Sequence, residues 1–326
     1  MKQHNSEYFL TADLGGTNAR LACVHKQTLA IEHLFTFKCA DFESFTDVIQ
    51  QWLESSQQAL PTQACFAIAG PVANNHVKMT NLGWTIDADA LKKSFGFSQL
   101  HLINDFAALA NAAPVLSGDE IFCLKNGTAI SSAPLAIIGP GTGFGVAALV
   151  PNGRQWITLA SEGGHAGFAP TTELERELLN ILSKTHTYTS IETLLCGRGL
   201  VEIYQALSKL QDLPATAIQN YSPSDITEQG LHDRDNLCVQ TLEVFCGILG
   251  SVAADKALTY GARGGVYIAG GIVPRLRGFI EKTHFKAHFI NKGVMSHYVE
   301  NIPVQLMTAA QPALKGAGAW LRNSLS

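Results

Sequence analysis

Apolar positions along this chain fall into short continuous runs and longer stretches with an apolar residue every third or fourth place. The short runs predict strands, and the spaced ones predict helices. Strands are expected over Glu7 to Asp13, Ala19 to His25, Ala64 to Ala69, Leu100 to Asn104, Pro134 to Ile138, Val146 to Val150, Gly265 to Ala269 and Pro303 to Met307. The run Ala64 to Ala69 is apolar throughout, as for a strand buried on both faces. Phe42, Phe45, Val48, Ile49 and Trp52 share one face of a helix predicted over Phe42 to Ser55, with Asp41 as its cap. Further helices are expected over Ala88 to Phe95, Phe106 to Ala112, Leu174 to Ser183, Leu200 to Leu210, Asn236 to Leu258 and Pro312 to Leu325.

The pattern begins twice. Pro, Ser and Gly between Pro114 and Asp119 mark a boundary, after which a strand, a glycine turn and a returning strand recur. Leu14-Gly15-Gly16-Thr17-Asn18 and Pro140-Gly141-Thr142-Gly143-Phe144-Gly145 each feed an apolar strand at the head of one half, which suggests a duplicated α/β fold. A length of 326 residues exceeds a single core, so two lobes are expected. The small lobe covers 1–116, with the C-terminal helix 308–326 packing back on it. The large lobe covers 117–307.

Composition narrows the class. Hydrophobic residues make up 46% and charged residues 15%, which fits a buried globular core. A net charge of −4 without a lysine or arginine block argues against a nucleic-acid partner. No signal peptide is visible, and no apolar run is expected to be long enough for a membrane helix. A cytoplasmic protein is expected. Seven scattered cysteines without a C-x-x-C read as reduced thiols rather than a zinc site.

Five places carry candidate chemistry. Asp13-Leu14-Gly15-Gly16-Thr17-Asn18 offers backbone N–H groups that no Cβ screens from a phosphate, and Asp13 could hold Mg2+ through water. The plainer reading is a hairpin turn needing positive φ. No Gly-Lys-Ser/Thr follows, so it is not a Walker loop. The segment from Gly139 to Gly145 is a second such turn, and Gly270-Gly271 after a buried strand could lie against an adenine ring or simply turn the chain. Asn104-Asp105 ends a strand. Asp105 could serve as a base toward a hydroxyl, or as the N-cap of the following helix. Glu162-Gly163-Gly164-His165 could read sugar hydroxyls or be an ordinary loop, and Glu192 by itself reads as a first-turn helix acid.

Taken in order with Met79-Thr80-Asn81, Trp84 and Phe168-Ala169-Pro170, these motifs resemble the bacterial glucokinase family of the hexokinase and actin-like ATPase superfamily. The resemblance runs over nearly the whole chain. It implies a duplicated actin-like (ribonuclease H-like) two-lobe fold with a central cleft, ATP with Mg2+, and phosphorylation of glucose at its 6-hydroxyl. It implies that Ala12, Asp13, Leu14, Gly15, Gly16 and Thr17 form the first phosphate motif and Gly141, Thr142 and Gly143 the second, with Gly270 and Gly271 bordering adenosine. Asp105 matches the catalytic base. Asn104, Asp105, Glu162, His165 and Glu192 match sugar ligands. A homodimer is expected by the same likeness. The chain departs from the family at Pro140, at Phe144, at Gly167 where Asp is usual, and at Cys196-Gly197-Arg198-Gly199. The cysteine zinc motif of the related ROK branch does not follow His165.

Two rivals stay open at this point. One is a kinase for another hexose or an amino sugar. The other is a non-catalytic sugar-sensing regulator, which would usually need a DNA-binding domain before Asp13, where only 12 residues stand.

Overall fold

The computed structural model describes residues 6–79, 81–214, 216 and 218–325. Thr80, part of the Met79-Thr80-Asn81 motif, lies outside them. The chain forms two compact units. The first gathers the described residues of Met1–Glu120, Leu149–Ala160 and Ala309–Ser326, and the second those of Ile121–Ala148 and Ser161–Thr308.

The first unit is built on a five-stranded sheet of β1 (Tyr8–Leu14), β2 (Asn18–His25), β3 (Ile31–Lys38), β4 (Gln63–Ile68) and β7 (Gln99–Asn104) in the order β3-β2-β1-β4-β7. The pairs β1–β2 and β2–β3 are antiparallel, whereas β1–β4 and β4–β7 are parallel. A small hairpin pairs β5 (His76–Met79) with β6 (Trp84–Asp87) in the same unit. Helices α1 (Phe45–Ser56), α2 (Ala88–Phe95) and α3 (Asp105–Ala112) follow in sequence.

The start of α1 differs from the sequence expectation. Ser44, not Asp41, is the cap: its side chain accepts the Asp47 N–H at 3.3 Å. Asp41 instead closes a short 3-10 turn, Cys39–Asp41. That turn exists because the Cys39 N–H is drawn to the carbonyl of Thr17 at 2.9 Å, which delays the helix and leaves Phe42 packing edge-on against Phe37. The apolar face of α1 reads as predicted from Phe45 onward, with Trp52 fully buried and its Nε1 donating to the carbonyl of His33 at 3.0 Å.

The second unit carries β8 (Ile121–Lys125), β9 (Leu135–Pro140), β12 (Gly265–Ile268) and β13 (Val304–Met307), and the same sheet includes β10 (Phe144–Asn152), whose residues from Leu149 onward belong to the first unit, and β11 (Gln155–Ser161), which belongs to the first unit as far as Ala160. Their order is β11-β10-β9-β12-β13-β8. Setting β8 aside, the third, second, first, fourth and fifth strands stand in the same order as in the first sheet. The duplication suspected from two glycine turns therefore extends to whole-sheet topology. Helices α4 (Glu173–Leu182), α5 (Ile191–Leu194), α6 (Gly197–Leu210), α7 (Pro223–Leu231), α8 (Asn236–Tyr260), α9 (Arg277–Ile280), α10 (Phe285–Ile290) and α11 (Ser296–Val299) belong here, while the last, α12 (Pro312–Leu325), packs on α3, β1 and β4 in the first unit.

Helix α8 corrects another expectation. It has 25 residues, and an 18-residue window of it reaches a mean hydropathy of 1.7, so by length and composition it could cross a membrane. Yet 78% of that window is buried within the fold, where α6, α7 and α10 pack around it. A helix covered on all sides needs apolar residues on all sides, and so matches a membrane span in composition.

Candidate active site

In the first unit the candidate residues gather at the carboxyl ends of parallel strands. Leu14 pairs with Ile68, and Ile68 with Asn104. With strands about 4.8 Å apart, the backbones of Leu14 and Asn104 stand roughly 10 Å from one another on one sheet edge. Open α/β sheets bind ligands along such an edge.

The turn from β1 to β2 is a tight hairpin, closed by the Gly15 N–H donating to the Asn18 carbonyl at 3.0 Å. It is thus the hairpin of the plainer reading, but neither Gly15 nor Gly16 has the positive φ expected of it. A Cβ at Gly15 or Gly16 would meet nothing nearer than 3.7 Å. The chain's own geometry does not require glycine there, and the bare backbone faces space that a ligand could fill. Cys39 braces the turn from behind, with its Sγ 3.6 Å from the Gly15 carbonyl. Ala12 and Leu14 are wholly buried in the core, so their side chains anchor the turn rather than face a ligand. Asp13 stands opposite Arg20 in the β1–β2 register, and their side chains form an ion pair of 3.1 Å. Burial pushes the Asp13 carboxyl above the usual carboxylate range, and Arg20 partly opposes this.

Asn104, not Asp105, caps α3. Its Oδ1 accepts the N–H groups of Phe106 and Ala107, and its Nδ2 donates to the Gly70 carbonyl. Asp105 is the first helical residue, half-buried, with Oδ1 accepting the Phe106 N–H at 2.9 Å. The capping role that competed with catalysis at Asp105 is therefore carried mainly by its neighbour.

In the second unit the glycine turn shortens to Gly141–Gly143, because Gly139 and Pro140 belong to β9. The Gly141 N–H closes it on the Gly143 carbonyl at 2.8 Å, and Thr142 is exposed at its tip. Register aligns β9 with β12, Ile138 opposite Ile268, so Gly270 lies beside Pro140. Gly270 has φ +87° and no room for a Cβ against the Pro140 carbonyl; at Gly271 a Cβ would meet nothing within 4 Å.

Phe144, the first residue of β10, joins three predicted pieces. Its N–H donates to Glu192 Oε2 at 2.7 Å, and its carbonyl lies where a Cβ on Gly164 would stand. The loop carrying Glu162 and His165 is pinned to the segment before α5 by Phe168 N–H to Thr189 O and Ile191 N–H to Ala166 O. Glu162 and His165 are exposed. Gly167, where the family usually has Asp, faces Tyr188, whose hydroxyl donates to the His165 carbonyl at 3.2 Å. The fold thus brings the second turn, Glu162, His165 and Glu192 together within one unit.

Sequence reasoning missed a hollow of about 270 Å³ bordered by Gly197, Pro223, Ser224, Thr227, Gly271 and Arg275. Ser222-Pro223 reads in sequence only as a helix start, which it also is. A larger hollow of about 680 Å³ in the first unit, beside Asn111, Arg154, Trp156 and Arg322, contains none of the predicted site residues. Among the described residues no group of three His, Cys, Asp or Glu could hold a metal unaided. All seven cysteines are free.

A model of the family described as Glucokinase matches residues 10–324. A glucokinase of Saccharophagus degradans is 42% identical over 316 residues, spanning 96% of this chain and 98% of the relative. The solved structure of a glucokinase from an Antarctic psychrotroph has a TM-score of 0.90 at 39% identity, covering 98% of this chain and 100% of that one. A ROK family glucokinase from Streptomyces griseus, solved with glucose and AMPPNP, has a TM-score of 0.66 at 17% identity, covering 96% and 98%, and shows the shared fold. The resemblance read from the motifs, and the actin-like two-lobe fold class it implied, are borne out.

Proposed function

The chain belongs to the glucokinase family, and from that premise we propose how its own residues carry the ATP-dependent phosphorylation of glucose to glucose 6-phosphate, the entry step of glycolysis. The first turn, Asp13 to Thr17, and the second, Gly141 to Gly143, cradle the phosphates with backbone N–H groups. Gly270, Gly271 and the hollow beside them take the adenosine. Asn104, Glu162, His165 and Glu192 hold sugar hydroxyls. Asp105 accepts the proton of the 6-hydroxyl as its oxygen attacks the γ-phosphorus and the bond to ADP breaks. Proton transfer late in a loose transition state contributes roughly 10²–10⁴-fold, and alignment and electrostatics supply the rest.

The observation that carries this reading is the division of labour at the end of β7: Asn104 caps α3 while Asp105 stands beside it on the sheet edge that also bears the first glycine turn. Asp13 suits a magnesium ion that arrives with the nucleotide. It is a half-buried hard-oxygen donor next to bare backbone, and Mg2+ commonly keeps its waters and takes one or two carboxylates plus phosphates. Bound there, Mg2+ would neutralise phosphate charge. The same family likeness supports lobes of 1–116 with 308–326 and of 117–307, a homodimer, and a cytoplasmic location.

The test is Asp105→Ala in a coupled ADP assay, with glucose binding followed by calorimetry. The expected result is loss of most of kcat with glucose still bound. Turnover near wild type would remove Asp105 from the base role.

A further inference from the structure

We infer that Glu192 is the positioning residue of the second glycine turn, so that one carboxylate serves both the sugar and the nucleotide. The inference rests on the reading of Gly141–Gly143 as a phosphate turn and of Glu192 as a sugar ligand. It adds that the turn loses its binding shape without Glu192, even when no sugar is present.

The geometry is specific. Glu192 Oε2 accepts the Phe144 N–H at 2.7 Å, the length of a charge-assisted hydrogen bond. A Cβ on Gly143 would fall 2.5 Å from the same oxygen, so only glycine lets the carboxylate lie this close to the turn. On the other side, the Gly141 carbonyl accepts the Gly197 N–H at 2.9 Å. The turn therefore hangs between two points of one segment, the carboxylate at 192 and the amide at 197. That segment is itself fixed. Ser190 and Thr193 form a reciprocal capping box around α5, and Ile191 is bonded to Ala166. Oε1 of Glu192 has no hydrogen-bond partner among the described residues and remains for a sugar hydroxyl.

Physical reasoning gives the consequence. Three glycine-rich residues have high backbone entropy, and a ligand binds them tightly only if they are already ordered. Removing Glu192 leaves the Phe144 N–H without its acceptor and the turn free to sample other shapes. Nucleotide affinity then falls.

The experiment measures the Kd of AMPPNP with Mg2+ by calorimetry in the absence of sugar. Glu192→Ala is expected to raise Kd on the order of tenfold, the loss of one charge-assisted bond. Glu192→Gln, whose amide oxygen can accept the same N–H, is expected to stay within a few-fold of wild type while glucose affinity drops. An unchanged AMPPNP Kd in Glu192→Ala overturns the inference and leaves Glu192 a sugar ligand only. Should Glu192→Ala fail to fold, Glu192→Asp keeps the charge but shortens the reach; it is expected to weaken AMPPNP, and an unchanged Kd again overturns the inference. Gly141→Ala separates the two levels of the argument, since a Cβ there meets only the Gly143 carbonyl, at 4.0 Å. If Gly141→Ala weakens AMPPNP and Glu192→Ala does not, the inference alone fails. If neither moves it, the phosphate-turn reading fails as well.

Discussion

Arg20 reaches from β2 to Asp13 on β1, with Nη1 3.1 Å from Oδ2. The pairing is dictated by register, since the two residues stand directly opposite each other across the hairpin. Burial raises the proton affinity of Asp13, and the guanidinium offsets part of that rise. A carboxylate meant to face Mg2+ must be ionised, so activity should fall as pH drops through a value above the ordinary aspartate range. Arg20→Met should move this acid limb further up in pH, and Arg20→Lys should restore part of the shift. The pH profile of kcat/KM checks it; an unmoved limb in Arg20→Met would show that the pair does not set the ionisation of Asp13.

The same shift has a sign for stability. The folded-state pKa of Asp13 is raised, so protonation favours the fold at low pH, and that contribution is lost as pH rises through the folded value. Asp13→Asn should therefore be more stable than wild type at neutral pH, by on the order of 1–3 °C in Tm, with the gap closing toward acid. Activity should be lost in the same variant. Equal melting temperatures at pH 7 would count against a destabilising carboxylate.

Asn104→Ala should hurt differently from its neighbour's replacement. It removes the cap of α3 and the bond to the Gly70 carbonyl, which costs about 1 kcal/mol of stability in addition to sugar affinity. Asp105→Ala leaves that cap in place. Paired denaturation curves test this, with a larger drop at 104 than at 105 as the expected result.

Two glycines offer a contrast between fold and ligand. At Gly164 an added Cβ would run into the Phe144 carbonyl, whereas at Gly271 it would meet open space. Gly164→Ala should lower Tm by several degrees, as close-packed backbone cannot yield. Gly271→Ala should melt like wild type and raise the KM for ATP. A Gly271→Ala enzyme with unchanged KM would exclude close approach of the nucleotide at that residue.

Lys125 is 5% exposed, and its ammonium donates to the carbonyls of Asn126, Glu300 and Ile302. Burial lowers its proton affinity, yet the three acceptors require a donor there. Lys125→Met should cost about 1–3 kcal/mol, read by urea denaturation, with glucose and ATP KM unchanged.

Much of the fold was legible because its strands are buried on both faces and its helices carry one apolar stripe. The runs at Ala64 to Ala69, Leu100 to Asn104 and Ala88 to Phe95 reappear as β4, β7 and α2. Strands with an exposed face escaped: β3 and β11 carry exposed residues through their length, and their apolar residues, among them Ile31, Leu34, Phe35 and Phe37 in β3 and Trp156, Ile157 and Leu159 in β11, are broken up by polar ones and leave no continuous run to read.

By itself the sequence determined where bare backbone would occur, because glycine is a local property, and which acids stood near strand ends. It also determined the duplication, since two turns at the heads of two similar strand series need no tertiary contact to be seen. Only the tertiary structure decided which residue does which task. Asn104 rather than Asp105 took the helix cap, Ser44 rather than Asp41 began α1, and Glu192 met Phe144 across 48 positions of sequence. These outcomes turn on hydrogen bonds of about 3 Å. Which of two neighbouring acceptors reaches an N–H, or which distant carboxylate meets a turn, is settled by backbone direction and packing rather than by residue type.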